Sequence, residues 1–418
     1  MFNHVYKCVV KSIKGILYSI IPLYHRILAK KVGRKKEIEV VFFAMSLPMW
    51  RYQYLYEALT KHPRFKTHII VLPNIAYCIE QQQKDQEVLA DFFQSQNIPF
   101  VLGRHTDGSY TDIFKTLSPD ILFYPQPYSD CYPQKLSFRN FFDKLICYCP
   151  YAFWTSKGEW SYNLLMHNLA WKLFYPTVLH RKDAQDISHR RGRNMHIVGY
   201  PTADDFLFKQ HKDLWKSQTK RKKRLIWAPH FSIFPGGYLQ HSNFLWMADL
   251  MLELCEKYKE ELQIIFKPHP RLFSELCRHK DWGADKTREY YDRWDSMENS
   301  QMEAGTFVDI FMTSDAMIHD CGSFSVEYHY SGNPVMFIST DYNSLLYDKN
   351  EFGKLAMNMH YMGKSREDIV TFIENVVLKG NDPMLKQRQD FRDNYLLPPN
   401  GKTVTENMLE VLLNSLNI

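Results

Sequence analysis

The stretch IHDCGSFSVEYHYSGNPVMFI, residues 318–338, decides the fold. An apolar run stops at Asp320, and the small residues Gly322, Ser323 and Ser325 open a helical segment. Gly332 and Pro334 close that segment before a second apolar run, NPVMFI (333–338). Two strands with almost no polar alternation, joined by a short helical crossover, are the punctuation of a parallel sheet covered on both faces.

The same alternation extends in both directions. After the basic run Lys220–Arg224 it reads RLIWAP (224–229), a helix near 242–261, LQIIFKPHP (262–270) and DAMIHD (315–320). Upstream it reads EIEVVFFA (37–44), a helix near 51–62, THIIVL (67–72), a helix near 80–96, IPFVL (98–102) and PDILFY (119–124). Two successive doubly wound α/β halves follow, joined where charged and polar residues replace the pattern near 200–222. The segment 384–416 reads as helical and is expected to pack back on the first half. The expected division is a helix over 1–36, a first Rossmann-like domain over 37–210, a second over 211–383, and C-terminal helices over 384–418.

A chain of 418 residues is long enough for two domains, and 45% hydrophobic with 23% charged residues exclude disorder and an integral membrane bundle. The net charge of +6 hides a division. Residues 1–36 hold nine bases and no acid, so the remainder, with 43 bases against 46 acids, is slightly acidic. A nucleic-acid binder would carry its positive charge on the folded domains, so no nucleic-acid partner is expected. The eight cysteines include no C-x-x-C pair, which excludes a recognisable zinc module and favours a reducing cytoplasm. Nothing in the chain resembles a metal site, and no cofactor is implied.

At 100° per residue, Val9, Val10, Ile13, Ile16, Leu17, Ile20, Ile21, Tyr24, Ile27 and Leu28 fall on one side of an N-terminal helix. Lys7, Lys11, Lys14 and His25 fall opposite. The longest uncharged run, Gly15 to Tyr24, is half of what a membrane span needs, and Pro22 is expected to kink it. The lysines are spread through the apolar stretch and no small-residue cleavage site follows, unlike a signal peptide. The helix is expected to lie on an anionic membrane surface, which places the protein peripherally on the inner face of the cell membrane.

In parallel sheets ligands sit beyond the carboxyl ends of the strands. There, Gly322, Ser323 and Ser325 open a helix whose N–H groups and hydroxyls suit a diphosphate, with Asp320 before them and Glu327 one turn in, towards a ribose diol. Ordinary N-capping accounts equally for the serines. The second stretch is FKPHPR (266–271), where paired prolines stiffen a strand end and present His269 between Lys267 and Arg271. Such a histidine can donate to a phosphoryl oxygen or protonate a leaving group. No H-E-x-x-H, G-x-S-x-G or Walker pattern occurs.

These two stretches, in this order, resemble the CDP-glycerol glycerophosphotransferase family, whose members include teichoic-acid glycerol- and ribitol-phosphate transferases. The family's K-x-H-P strand end reads KPHPR here, and its D-Y-S-S segment reads HDCGSFS. GYPTADDF (199–206) is similar to its G-Y-P-R-x-D, and WAPHFS (227–232) to its A-P-T-W. The resemblance implies a GT-B fold of two facing Rossmann-like halves. It also implies that His269 and the Ser323/Ser325 turn bind a CDP pyrophosphate, and that a polyol phosphate passes to a hydroxyl with release of CMP. The acceptor would be a cell-surface polymer, such as teichoic acid or a phosphate-containing capsule, or a lipid-linked precursor.

The family's first-half W-H-G segment, whose histidine serves as base, corresponds here to ICYCPYAFW (146–154), which has no histidine. Asp130 in PQPYSDCYP (125–133) and His230 are the replacement candidates. Two other functions stay open on these residues. One is a nucleotide-sugar glycosyltransferase or UDP-sugar epimerase of the same architecture, and the other is a catalytically silent scaffold in surface-polymer assembly. The oligomeric state is not legible.

Overall fold

The computed structural model describes all residues except Met1, Thr106, 236–241, Thr306 and Ser323, and the side chains of 2–17, 113 and 114 are also outside the description. The chain forms two compact units, one of Met1–Asp204 with Pro398–Ile418 and one of Asp205–Leu397. The first division thus falls at Asp204, slightly ahead of the expected 210. The return falls at Pro398, so residues 384–397 stay with the second unit.

The first unit carries a parallel sheet of β1 (Ile38–Ala44), β2 (Phe65–Val71), β3 (Val101–Leu102), β4 (Ile121–Tyr124), β5 (Leu145–Tyr148), β6 (Lys172–Tyr175) and β7 (Met195–Ile197). Their order is β3-β2-β1-β4-β5-β6-β7. The second unit carries β8 (Lys223–Ala228), β9 (Leu262–Phe266), β10 (Ser300–Met302), β11 (Ala316–His319), β12 (Val335–Ile338) and β13 (Tyr361–Gly363), in the order β10-β9-β8-β11-β12-β13. All pairings between these strands are parallel.

The central strands are buried along their whole length because helices cover both faces, with Gln263 and His319 as polar residues among apolar ones. Every residue of β4, β5, β9, β11 and β12 is buried. In the first core Phe42 stacks on Phe123 at 4.6 Å across β1 and β4. In the second, the helix Phe244–Lys257 buries Phe244, Met247, Ala248, Met251, Leu254 and Cys255 at helical spacing. Phe244 lies parallel to Trp227 of β8.

The N-terminal helix spans Phe2–Gly33 and continues through Pro22. It packs on the first unit through Tyr18, Ile21, His25, Ala29 and Val32, all buried. This corrects two expectations, since Ile21 was assigned to the apolar outer face and His25 to the solvated one. Ile20, Leu23, Tyr24 and Ile27 are exposed on the other side. The reason is that the body claims its own stripe at 3.6-residue spacing. At the helix end, a Cβ on Gly33 would come within 1.9 Å of the Leu416 carbonyl oxygen, so only glycine permits this approach to the C-terminal helix Val404–Leu416.

That C-terminal helix is capped from GYPTAD. Asp204 accepts N–H bonds from Val404 at 2.7 Å and Thr405 at 3.0 Å, and the Thr405 hydroxyl at 2.8 Å. Gly199 has φ of +98°, with Val404 and Pro398 against it, so this motif serves the joint within the first unit. No helix among the described residues is long and apolar enough to cross a membrane.

Candidate functional site

Parallel register places the ends of β8, β9 and β11 side by side at the carboxyl edge of the second sheet. The residues after those strands are Pro229–Ser232, Lys267–Arg271 and Asp320–Ser325. His269 N–H donates to the Pro229 carbonyl at 3.0 Å, which ties the first two loops together. The His230 and His269 rings lie 5.1 Å apart, edge to face. Phe231 packs 4.5 Å from His269, and the Arg271 guanidinium lies 4.2 Å above the Phe231 ring.

His269 Nδ1 accepts the Arg271 backbone N–H at 3.2 Å. In the neutral ring the proton therefore sits on Nε2, which is left as a donor. Burial, reinforced by the Arg271 charge, holds its pKa down at about 4, so the imidazole is neutral at physiological pH. Arg271 itself is exposed and pairs with Glu275 at 3.1 Å.

The other sequence candidates are placed differently. Lys267 is buried and its ammonium donates to the carbonyls of Gly305 at 2.9 Å and Glu303 at 3.5 Å, with burial lowering its pKa to about 8. It braces the loop after β10 and does not face solvent as a phosphate ligand would. Asp320 is also buried. One oxygen accepts the His230 N–H at 2.6 Å, and the other accepts the Asn243 N–H at 2.5 Å and its side-chain amide at 3.3 Å. Burial nevertheless pushes its pKa up to about 6.

Ser325 is 2% exposed, and its hydroxyl donates back to Gly322 O at 2.6 Å, so it caps the turn. Glu327 is buried instead of reaching outward, and His230 is 6% exposed. The helix they open is only Phe324–Glu327, continued by a 3₁₀ turn at Tyr328–Ser331, so its dipole is short. Gly322 is exposed and a Cβ there would meet nothing within 4 Å, which leaves room for a ligand at this turn. Ser323 lies outside the described residues.

Asp130 belongs to the first unit. It sits in the 3₁₀ turn Ser129–Cys131, past the carboxyl end of β4, and is exposed.

Two residues escaped the sequence reading. Phe231 is the platform for both His269 and Arg271, and its place in WAPHFS was the available signal. Asn243 ties Asp320 to the Ile338 carbonyl, which its amide meets at 3.1 Å. Its position just before an apolar helical run was visible, but its distant partners were not. No group of three His, Cys, Asp or Glu side chains among the described residues is arranged to hold a metal ion. A surface hollow of about 560 Å³ lined by Asp249, Glu253, Lys257 and Arg293 lies off the strand ends, on helices over the sheet.

Residues 180–413, more than half of the chain, match the model of the family described as CDP-Glycerol:Poly(glycerophosphate) glycerophosphotransferase. No curated protein matches. Among solved structures, a variant of the wall teichoic acid polymerase TagF aligns with a TM-score of 0.60 at 13% identity, covering 100% of this chain and 98% of that one. A UDP-N-acetylglucosamine 2-epimerase from Listeria monocytogenes, described as putative, aligns at 0.58 and 14% identity, covering 91% and 97%. The UDP-GlcNAc-bound 2-epimerase of Neisseria meningitidis gives 0.55 and 13%, covering 90% and 100%. At such identities these likenesses establish the shared GT-B fold alone.

Proposed function

The chain belongs to the CDP-glycerol:poly(glycerophosphate) glycerophosphotransferase family, and from that premise we propose that it moves a polyol phosphate from a CDP-activated donor to a hydroxyl of a cell-surface polymer or lipid-linked acceptor. The observation that carries the reading is the neutral, Nε2-protonated His269 held over Phe231 beside Arg271 and the open Gly322 turn.

In the reaction, the acceptor oxygen attacks the phosphorus that bears the polyol. The bond from that phosphorus to the bridging oxygen breaks, CMP leaves with the electron pair, and the hydroxyl proton passes to a base. His269 donates from Nε2 to a phosphoryl oxygen, and Arg271 supplies positive charge at the rim. Asp130, exposed and carboxylate-bearing, is the candidate base. Buried His230 serves as a wall for His269. Lys267, Asp320, Ser325 and Glu327 hold the loops, and backbone N–H groups around Gly322 take the diphosphate.

Teichoic acid or a phosphate-containing capsule is the product class this chemistry serves. The exposed stripe of Ile20, Leu23, Tyr24 and Ile27 supports a peripheral seat on an anionic membrane surface. The seven cysteines whose side chains are described are all free, which supports its cytoplasmic side.

Calorimetric binding of CDP-glycerol, CDP-ribitol, CMP, UDP-sugars and UMP to wild type and His269→Ala tests the reading. Cytidine-selective binding that weakens in the variant is expected. Uridine selectivity would move the protein to the sugar-nucleotide enzymes, and no binding at all would leave a scaffold.

A further inference from the structure

Beneath the N-terminal helix, at the amino-terminal ends of the last two strands of the first sheet, the fold gathers basic side chains and histidines. Lys172 opens β6 and His196 lies on β7, with Lys172 Nζ and His196 Nε2 at 3.0 Å. An ammonium can only donate, so His196 meets it through a bare nitrogen and is neutral. Burial and the charges of Lys172 and Arg181 hold the His196 pKa down at about 4. Arg190 is buried, donates to the Ala170 carbonyl at 3.0 Å, and has its pKa lowered to about 10 by burial and by Arg193.

His25 enters this group from the N-terminal helix. It is 7% exposed, and its Nδ1 has no hydrogen-bond partner. Burial and the charges of Arg190 and Lys172 hold its pKa at about 4. Among the described residues no ion pair joins His25, Lys172, Arg190 or His196 to a carboxylate. Gathering like charges around an unpartnered buried ring is unfavourable unless an anion completes the set.

The opposite face of the same helix carries the exposed stripe Ile20, Leu23, Tyr24 and Ile27. About 10 Å, one helix diameter, separates the two faces. A helix lying with its stripe at the acyl boundary therefore holds its other face at headgroup level.

We propose that Lys172, Arg190, His196 and His25 form a site for the headgroup phosphate of an anionic lipid, closed on one side by the N-terminal helix. The site rests on the membrane-surface reading above and gives that reading a lipid specificity. Arg190 and Lys172 supply the charge, and His25 turns its free Nδ1 to the same anion. Half-buried Lys172 and His196 leave the group reachable from outside.

The test is co-sedimentation of the full chain with vesicles of phosphatidylcholine and of phosphatidylcholine mixed equally with phosphatidylglycerol. Wild type is expected to prefer the mixed vesicles. Lys172→Ala should lose about fivefold of that affinity, since a basic residue near an anionic surface contributes on the order of 1 kcal/mol. Its thermal midpoint should stay level or rise, because repulsion is relieved. His196→Gln keeps an acceptor for Lys172 and serves as the variant least able to disturb folding. It should lose less.

Lys386→Glu, an exposed charge change in the second unit, is the control. An equal loss in that control, or unchanged binding by Lys172→Ala, overturns the site while leaving the membrane reading intact. Wild type that sediments with neither vesicle overturns both. Full displacement from mixed vesicles by inorganic phosphate at matched ionic strength would make the site one for a free anion, and the lipid assignment would fall.

Discussion

The carboxylate of Asp320 accepts the backbone N–H of His230, 90 residues earlier in the chain, at 2.6 Å. With its second oxygen on Asn243, one buried side chain locks the loop after β8 and the start of the helix Phe244–Lys257 to the end of β11. Asp320→Asn offers only one acceptor oxygen and turns an amide N–H₂ towards the other N–H. A loss of about 1–3 kcal/mol of stability is expected, with weaker donor binding because His230 backs His269. Thermal unfolding and calorimetry on the same preparation check it, and unchanged donor affinity would show that the bolt does not position the site.

His269→Ala should reduce turnover by roughly 10²–10³-fold, the effect of deleting one oxyanion donor. The thermal midpoint should barely move, as the ring is only half-buried. Since its pKa lies at about 4, this ring stays a neutral donor far below pH 6.5. An acid limb near pH 6 that vanished in the variant would contradict that protonation state.

Asp130→Asn tests the base. Turnover should fall while donor affinity stays the same, because the residue belongs to the first unit and the donor candidates belong to the second. A matching loss of donor binding would exclude this role.

His319, His329 and His360 form a fully buried cluster behind the Gly322 turn. His319 Nε2 and His360 Nε2 are 3.2 Å apart, and the His329 and His360 rings 4.7 Å. Arg388, paired with Asp382, adds positive charge to His329 and His360. Burial lowers all three pKa values, to about 4 for His360. A histidine lowered in the folded state costs no stability above about pH 6.5 and progressively more as pH falls from there towards 4. The thermal midpoint should therefore drop steeply between pH 6.5 and 4, and His360→Gln should flatten that slope. A slope identical to wild type would show that the cluster does not govern acid stability.

Gly199→Ala and Asp204→Ala probe the C-terminal joint. The first places a Cβ 2.9 Å from Val404 at a left-handed φ, and the second removes the acceptor of the Val404 and Thr405 N–H groups at the start of the C-terminal helix. Each should cost about 1–2 kcal/mol and hasten proteolysis within 398–418. Donor affinity should be unchanged, because the donor candidates lie in the other unit.

The apolar-rich runs that became β1, β2, β3, β4, β8, β9, β11 and β12 were legible, as were the helices Gln53–Lys61, Ile79–Ser95 and Phe244–Lys257. The strands β5, β6, β7, β10 and β13 were not, because each is a segment of three or four residues outside the strand–helix alternation and takes its strand geometry from neighbours in the sheet. At the site, His269 could be read from its flanking prolines. Asp320 could be located but not understood, since both its partners are backbone N–H groups on other segments.

What the sequence determined by itself is whatever near neighbours settle. Apolar runs mark strands covered on both faces, glycines and prolines end them, and nine uncompensated bases set the N-terminal helix apart. Tertiary structure alone decided which face of that helix turns inward, where the oxygens of Asp320 go, and that His25 lies buried beside Lys172 and Arg190. Periodicity identifies apolar and polar stripes, but the choice between them depends on distant surfaces that only the folded chain brings together.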